Sequence, residues 1–517
     1  MKRSMPKFSR RDFLKLTSAL SGALALSNLS PKFSFAQSDH RPSSQQDGET
    51  PGILIFVFDA MSARNLSLYG YNRKTTPNFE RFAQRATVYN AHYSAGSFTT
   101  SGTASLLTGL YPWTHRAINE SGLIARDLVE ENLFRAVGKK YYRLAYSQNI
   151  WPNYFFGQFQ TDIEKVLSPA AFSLVDQLVG DKFGGDLANS HRVFDDFLFQ
   201  DGTPPASLVF GLAERILLRR AVARAQSDDY PRGLPRTGNY PIFFQLKDVF
   251  DGLMSTVEKL SPASLAYLHL WSPHAPYRAA RKFDSIFVDG WRPKPKPDHE
   301  LGDHIPPSSV NDRRRNYDEY IANLDYEFGR LIDLLEAKGI LDRSYVVVTS
   351  DHGEFFERGV EGHISPLLYD PVVQVPLLIS SPGQKSRQDV HTPTNSVDIV
   401  PTLAHLTGNE TPAWCEGQIL PALGGSEDPD RSIYMMDAKV NPAFGPLSIA
   451  SFAIRKGKYK LSCYRGYEKY QGKDRFELYD MESDPEELND LYSANPEIAK
   501  PLQDELLGKV EIKNGKR

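Results

Sequence analysis

Ile53-Leu54-Ile55-Phe56-Val57-Phe58-Asp59 is the stretch that decides the fold. Its apolar run is continuous rather than alternating, as in a strand buried on both faces of a parallel sheet, and it delivers a carboxylate at its C-terminal end. Tyr345-Val346-Val347-Val348-Thr349 repeats the pattern and runs into Ser350-Asp351-His352-Gly353-Glu354. Tyr142 to Tyr146, Ala266 to Trp271 and Val375 to Ile379 read as further strands. Helical segments lie between them. Pro77 to Ala86 has Thr76 as N-cap and Pro77 in its first turn. Another helix starts directly after Thr99, and a long one covers Tyr317 to Lys338 and stops at Gly339. This alternation predicts an α/β fold, a mostly parallel sheet with helices on both faces and its site at the strand C-termini.

Beyond about residue 430 short strands with turns between them (Ser451 to Arg455, Lys458 to Leu461, Phe476 to Tyr479) precede a helix around Pro496 to Leu507. They predict a small antiparallel α+β subdomain over 431–517, after a catalytic domain over 51–430. Residues 165–260 fit the alternation worst and read as an insertion. It carries an amphipathic helix from Leu208 to Ala225, with Arg215, Arg219, Arg220 and Arg224 on its polar side. The chain of 517 residues has a net charge of −3, so no basic surface points to nucleic acid. Cys415 and Cys463, the only cysteines, read as free buried thiols, with a disulfide as the alternative.

Ser9-Arg10-Arg11-Asp12-Phe13-Leu14-Lys15 resembles a twin-arginine export signal. Leu16 to Leu29 is an apolar segment too short and Ser-rich to span a bilayer, and Ser34-Phe35-Ala36 offers a cleavage site after Ala36. The expectation is a signal peptide over 1–36, a linker over 37–50, recognition by the twin-arginine machinery, and a periplasmic or secreted protein. No stable transmembrane segment is expected after cleavage.

Asp59 and the Asp351-His352 pair each follow a strand. Two carboxylates and an imidazole converging at a sheet edge suit a divalent metal ion.

Ser97-Phe98-Thr99-Thr100-Ser101-Gly102-Thr103-Ala104-Ser105-Leu106-Leu107-Thr108-Gly109-Leu110-Tyr111-Pro112 resembles the sulfatase signature Cys/Ser-x-Pro-Ser-Arg-Ala-x-Leu-Leu-Thr-Gly-x-Tyr-Pro. Its right half matches; on the left, Thr99 replaces the cysteine, Ser101 the proline, Gly102 the serine and Thr103 the arginine. Asp59-x5-Asn65, Thr75-Thr76-Pro77-Asn78, Thr349 to Glu354, Ser396 to Leu403 and Phe476 to Glu487 resemble other segments of the same family, in order. The chain thus resembles the sulfatase-like branch of the alkaline phosphatase superfamily across residues 51–490. The resemblance implies an alkaline-phosphatase-like fold and places Thr99 where the family has its nucleophile, with Thr100 as the competing candidate. It makes Asp59, Thr99, Asp351 and His352 the ligands of one divalent ion. Mn²⁺ or Zn²⁺ is preferred because of the imidazole, with Ca²⁺ or Mg²⁺ as alternatives. It also implies that His274, in Pro273-His274-Ala275-Pro276-Tyr277, is a general acid or an oxygen ligand, and that His363 binds the transferred group.

A threonine is not expected to yield the formylglycine of sulfatases, and family members that keep threonine act on phosphate esters. The Gly-Lys-Trp-His segment of many sulfatases is replaced here by Ala145-Tyr146-Ser147-Gln148-Asn149. The expected activity is therefore metal-dependent hydrolysis or transfer of phosphate esters. The substrate is a small-molecule, lipid-head-group or glycan ester. The alternatives are sulfate ester hydrolysis without formylglycine, and a non-catalytic relative that binds envelope polymer. Trp151, Tyr154, Phe155 and Phe156 are candidates for a substrate pocket, with core packing as the competing use.

Overall fold

Every residue of the first strand, β1 (Gly52–Phe58), is buried, as its unbroken apolar run requires. The computed structural model describes residues 50–174, 215–224, 229–238 and 242–515. The expected signal peptide, nearly all of the linker and the centre of the insertion lie outside the described residues. Of the amphipathic helix expected over 208–225, residues 215–224 are described and helical. Everything below concerns the compact unit made of Glu49–Gln177 and Arg220–Arg517.

Its main sheet contains β1, β2 (Thr87–Tyr89), β3 (Tyr142–Ser147), β4 (Lys165–Val166), β5 (Ser264–Leu270), β6 (Ser344–Thr349), β7 (Leu377–Ser380) and β8 (Gln388–Val390), in the order β8-β2-β7-β6-β1-β5-β3-β4. All pairings are parallel except those of β7 with β6 and β2. β7 starts at Leu377 rather than Val375, because Pro376 has no N–H to give to a ladder.

The helices are α1 (Pro77–Ala83), α2 (Thr99–Thr108), α3 (Ile150–Gln158), α4 (Leu246–Glu258), α5 (Pro307–Ala337) and α6 (Ile399–Leu406). Alternate residues of β1 feed two cores. Leu54, Phe56 and Phe58 pack with Phe79 of α1, Phe250 of α4 and Phe328 of α5. Ile53, Ile55 and Val57 pack with Leu107 of α2, Phe156 of α3 and Leu403 of α6. The two-residue period of a strand sends the two sets to opposite faces. β4 and α4 belong to this scaffold, so both ends of the stretch read as an insertion are built into the main fold.

α5 begins ten residues before its expected start at Tyr317, since Pro307 suits the first helical position and residues 307–316 are too polar to show periodicity. The side chain of Thr76 makes no cap on α1. Asp325, from α5, accepts instead from the amides of Asn78 (3.0 Å) and Phe79 (2.9 Å). A capping carboxylate from a distant helix leaves no mark in the local sequence.

The C-terminal strands β9 (Ser432–Asp437), β10 (Ala450–Lys456), β11 (Tyr459–Arg465) and β12 (Arg475–Asp480) form an antiparallel meander. The last helix, α7 (Pro496–Gly515), covers one face, placing Leu502, Leu506 and Val510 on Phe452, Ile454 and Leu461. Both cysteines are free. Among the described residues no helix is long and apolar enough to cross a membrane.

Candidate active site

Strand register assembles the site. Val57 of β1 lies beside Thr349 of β6 and His269 of β5, and Ser147 of β3 lies beside His269 on the other side. Two residues further along three parallel strands stand Asp59, Asp351 and Asn149, so all three emerge at one edge, with His269 just below them. α2 enters at the same edge. Gly102 allows this approach, because a Cβ there would lie 2.0 Å from the Asp351 carbonyl oxygen.

Asp59, His269 and Asp351 are fully buried and bring their ligating atoms within 4.8 Å of one another. His269 Nε2 lies 3.6 Å from Oδ2 of each carboxylate, while its Nδ1 is 3.3 Å from the Tyr267 hydroxyl. Asp59 Oδ1 and His269 Nε2 have no hydrogen-bond partner. Two orphaned polar atoms in a buried cluster are costly by themselves, and a cation satisfies both. The oxygen and nitrogen donors fit a borderline divalent ion. His352 is also there, with Nε2 at 3.4 Å from Asp59 Oδ1 and Nδ1 donating to Gly353 O at 2.8 Å. The expected group of Asp59, Thr99, Asp351 and His352 is thus brought together. His269, absent from the sequence reading, joins it.

Thr99 is the first residue of α2, where the helix dipole favours negative charge. Its Oγ1 lies 3.3 Å from His352 Nε2 and accepts from Asn149 Nδ2 at 3.4 Å. Asn149 also donates to Asp59 Oδ2 at 2.6 Å. Thr100 lines the same pocket as Thr99 but donates its hydroxyl to the Glu120 carbonyl. Thr103, where the sulfatase signature has arginine, donates to Asp351 Oδ2 at 3.4 Å.

His274 and His363 line one pocket with Thr99. Their rings are 4.9 Å apart, and His363 is 4.3 Å from the His352 ring. His274 Nδ1 donates to Ala275 O at 2.8 Å. His363 Nδ1 is 2.9 Å from Glu354 Oε1. Burial raises Glu354 to about 7, and burial, followed by the neighbouring His352 and His274, holds His363 well below the usual imidazole range. Burial opposes the charged form of His352, but Asp351 and Asp59 outweigh it and push it up to about 9.

Asn149, His269 and Glu354 are site residues that the sequence reading did not assign. Asn149 had a signal, since it stands where many sulfatases carry the missing Lys and His. His269 had none, because an imidazole inside an apolar strand reads as core. Of the aromatic candidates, Trp151 lines the pocket, Phe155 and Phe156 are core, and Tyr154 is exposed.

A parallel α/β scaffold with buried carboxylates, imidazoles and a helix-borne hydroxyl at its strand ends defines a hydrolase of the alkaline phosphatase superfamily. A family model described as Sulfatase matches residues 51–204 and 219–409, and the chain belongs to the sulfatase family, whose members hydrolyse ester bonds. A second model, N-sulphoglucosamine sulphohydrolase, C-terminal, matches residues 364–513. The choline-sulfatase of Rhizobium meliloti is 31% identical over 43% of this chain, a match spanning only 45% of that protein. The ulvan-active sulfatase of Formosa agariphila is 25% identical over 91% of this chain and 82% of its own length. The phosphonate monoester hydrolase of Agrobacterium radiobacter shares the fold at a TM-score of 0.64 and 17% identity, over 90% of this chain and 96% of that one.

Proposed function

We propose that this chain is an exported, metal-dependent hydrolase or transferase of phosphate esters with Thr99 as its nucleophile. The observation that carries the reading is the position of Thr99 Oγ1, at the head of α2 and 3.3 Å from His352 in the cluster of Asp59, His269 and Asp351. A threonine hydroxyl is a weak nucleophile at its free pKa and needs this setting to react. A bound divalent ion, Mn²⁺ or Zn²⁺ by the donor set, supplies hydroxyl activation and charge neutralisation.

Thr99 loses its hydroxyl proton to water, and its Oγ attacks phosphorus in line with the leaving oxygen, whose bond to phosphorus breaks. Asn149 orients the hydroxyl through its 3.4 Å contact. His274, with Nδ1 fixed on Ala275 O, acts at Nε2 as the general acid toward the departing alcohol. When Glu354 is protonated, His363 Nδ1 accepts from it and Nε2–H holds a non-bridging oxygen. Water or an acceptor alcohol then takes the phosphoryl group from Thr99. The twin-arginine sequence at residues 9–15 supports export.

Peptide mass spectrometry of the metal-loaded protein after brief exposure to phosphodiesters tests the reading. An adduct on the Thr99 peptide with the mass of the phosphoryl group and its remaining ester substituent, and loss of turnover in a folded Thr99→Ala variant, are expected; undiminished turnover in that variant sinks the assignment. The names of the relatives favour sulfate ester hydrolysis as the second reading. Turnover of an aryl sulfate in preference to the matching phosphodiester, with Thr99 unmodified, would establish it.

A further inference from the structure

The catalytic pocket has a volume of about 530 Å³, and beyond its reacting end Phe98, Trp151, Ile242, Trp271 and Ile364 supply an apolar wall. Trp271 is fixed there. Its indole N–H donates to Ala275 O at 3.0 Å, its ring lies 4.3 Å from that of His274, and a Cβ on Gly238 would stand 3.2 Å from its Cη2. With its one polar atom already bonded, Trp271 offers carbon surface.

Away from the metal cluster and the histidines of the reacting end, the charge of the lining is one-sided. Among the described residues around the pocket there is no lysine or arginine, while Glu120, Glu354 and Glu361 contribute carboxylates. Glu354 is bound to His363 and Glu361 is paired with Arg313 at 2.9 Å. Glu120, which also lines the pocket, is exposed. Lys439 lies close by, 5.0 Å from the Phe98 ring, but its ammonium is held by Asp437 at 2.8 Å. A second anionic group held against this wall would lose water and find no cation among the described residues to replace it.

We infer that the alcohol released from this site is neutral or cationic and carries an aromatic or aliphatic face, and that multiply sulfated or phosphorylated glycans are rejected. This rests on the proposed ester hydrolysis for its reacting end, but not on whether phosphorus or sulfur is attacked.

The test compares kcat/KM of the metal-loaded full chain on two phosphodiesters, one releasing 4-nitrophenol and one releasing the same phenol with a ring carboxylate. The matched pair of aryl sulfates is run beside them. The carboxylated ester should be at least about tenfold poorer in whichever series turns over, and Ile242→Lys should shrink that gap. Equal or better turnover of the carboxylated ester overturns the inference, as does an unchanged gap in Ile242→Lys. A folded Thr99→Ala variant supplies a readout without turnover, quenching of tryptophan fluorescence by the two phenols. Tighter binding of the carboxylated phenol also overturns the inference. If Thr99→Ala keeps full turnover, the nucleophile assignment alone falls, and the matched pair still decides the wall.

Discussion

Gly102→Ala is the substitution for which the structure gives the sharpest consequence. The added Cβ would stand 2.0 Å from the Asp351 carbonyl oxygen, and an ordinary contact needs roughly 1.5 Å more. The neighbour is backbone at the end of β6, so no side-chain rotation relieves the clash; α2 and the β6 terminus have to separate. Thr99 rides on α2 and Asp351 and His352 on the β6 end. The 3.3 Å approach of Thr99 to His352 and the Ser94 hydrogen bond to Asp351 O at 2.5 Å therefore open together. A displacement of about 1 Å at a reacting group costs on the order of a hundredfold in rate, and overpacking of this kind costs about 1–3 kcal/mol of stability. Steady-state kinetics with a thermal melt measures both. Gly157→Ala is the control, because Gly157 lies in α3 with nothing within 4 Å of its added Cβ. It should leave the rate unchanged and stabilise by up to about 1 kcal/mol. Wild-type kcat and melting in Gly102→Ala would refute the claim that the helix and strand end are in contact through this glycine.

Three further outcomes follow from the same geometry. His269→Ala, which deletes an imidazole 3.6 Å from both carboxylates, should weaken Mn²⁺ or Zn²⁺ binding by more than the ~10–100-fold typical of outer-shell changes. Calorimetric titration with wild-type affinity would remove His269 from the site. Asp325→Ala uncaps α1 from across the fold and should cost about 1–2 kcal/mol in urea melts; no loss would mean that solvent replaces the cap. His115 is fully buried, with Nδ1 accepting from the Ala117 amide and Nε2 bonded to Ser105, and burial lowers it to about 3. An unfolded imidazole protonates near 6.5, so between these values the unfolded chain holds one more proton and stability falls as pH falls. The slope from this residue is about 1.4 kcal/mol per pH unit. Raised carboxyls such as Asp325, at about 6, act in the opposite sense, so the measurement is the difference between wild type and His115→Gln from pH 6 to 4. Parallel pH profiles would show that His115 gains its proton in the fold.

The sequence by itself determined the parallel α/β layering, because strands buried on both faces must be apolar without interruption and the β1 and β6 runs are. It also determined that Asp59, Asp351 and His352 leave strand ends, and that Thr99 opens a helix, since each is read from its immediate neighbours. Only the tertiary structure decided what meets there. The register of β3, β1 and β6 sets Asn149, Asp59 and Asp351 level, and His269 enters the cluster from inside a strand whose local pattern is that of core. The same limit hid the cap supplied to α1 by Asp325, which lies 246 residues from Phe79. Periodicity and capping signals act over one or two turns of chain. Strand pairing and carboxylates donated from distant helices depend on which segments the fold places side by side.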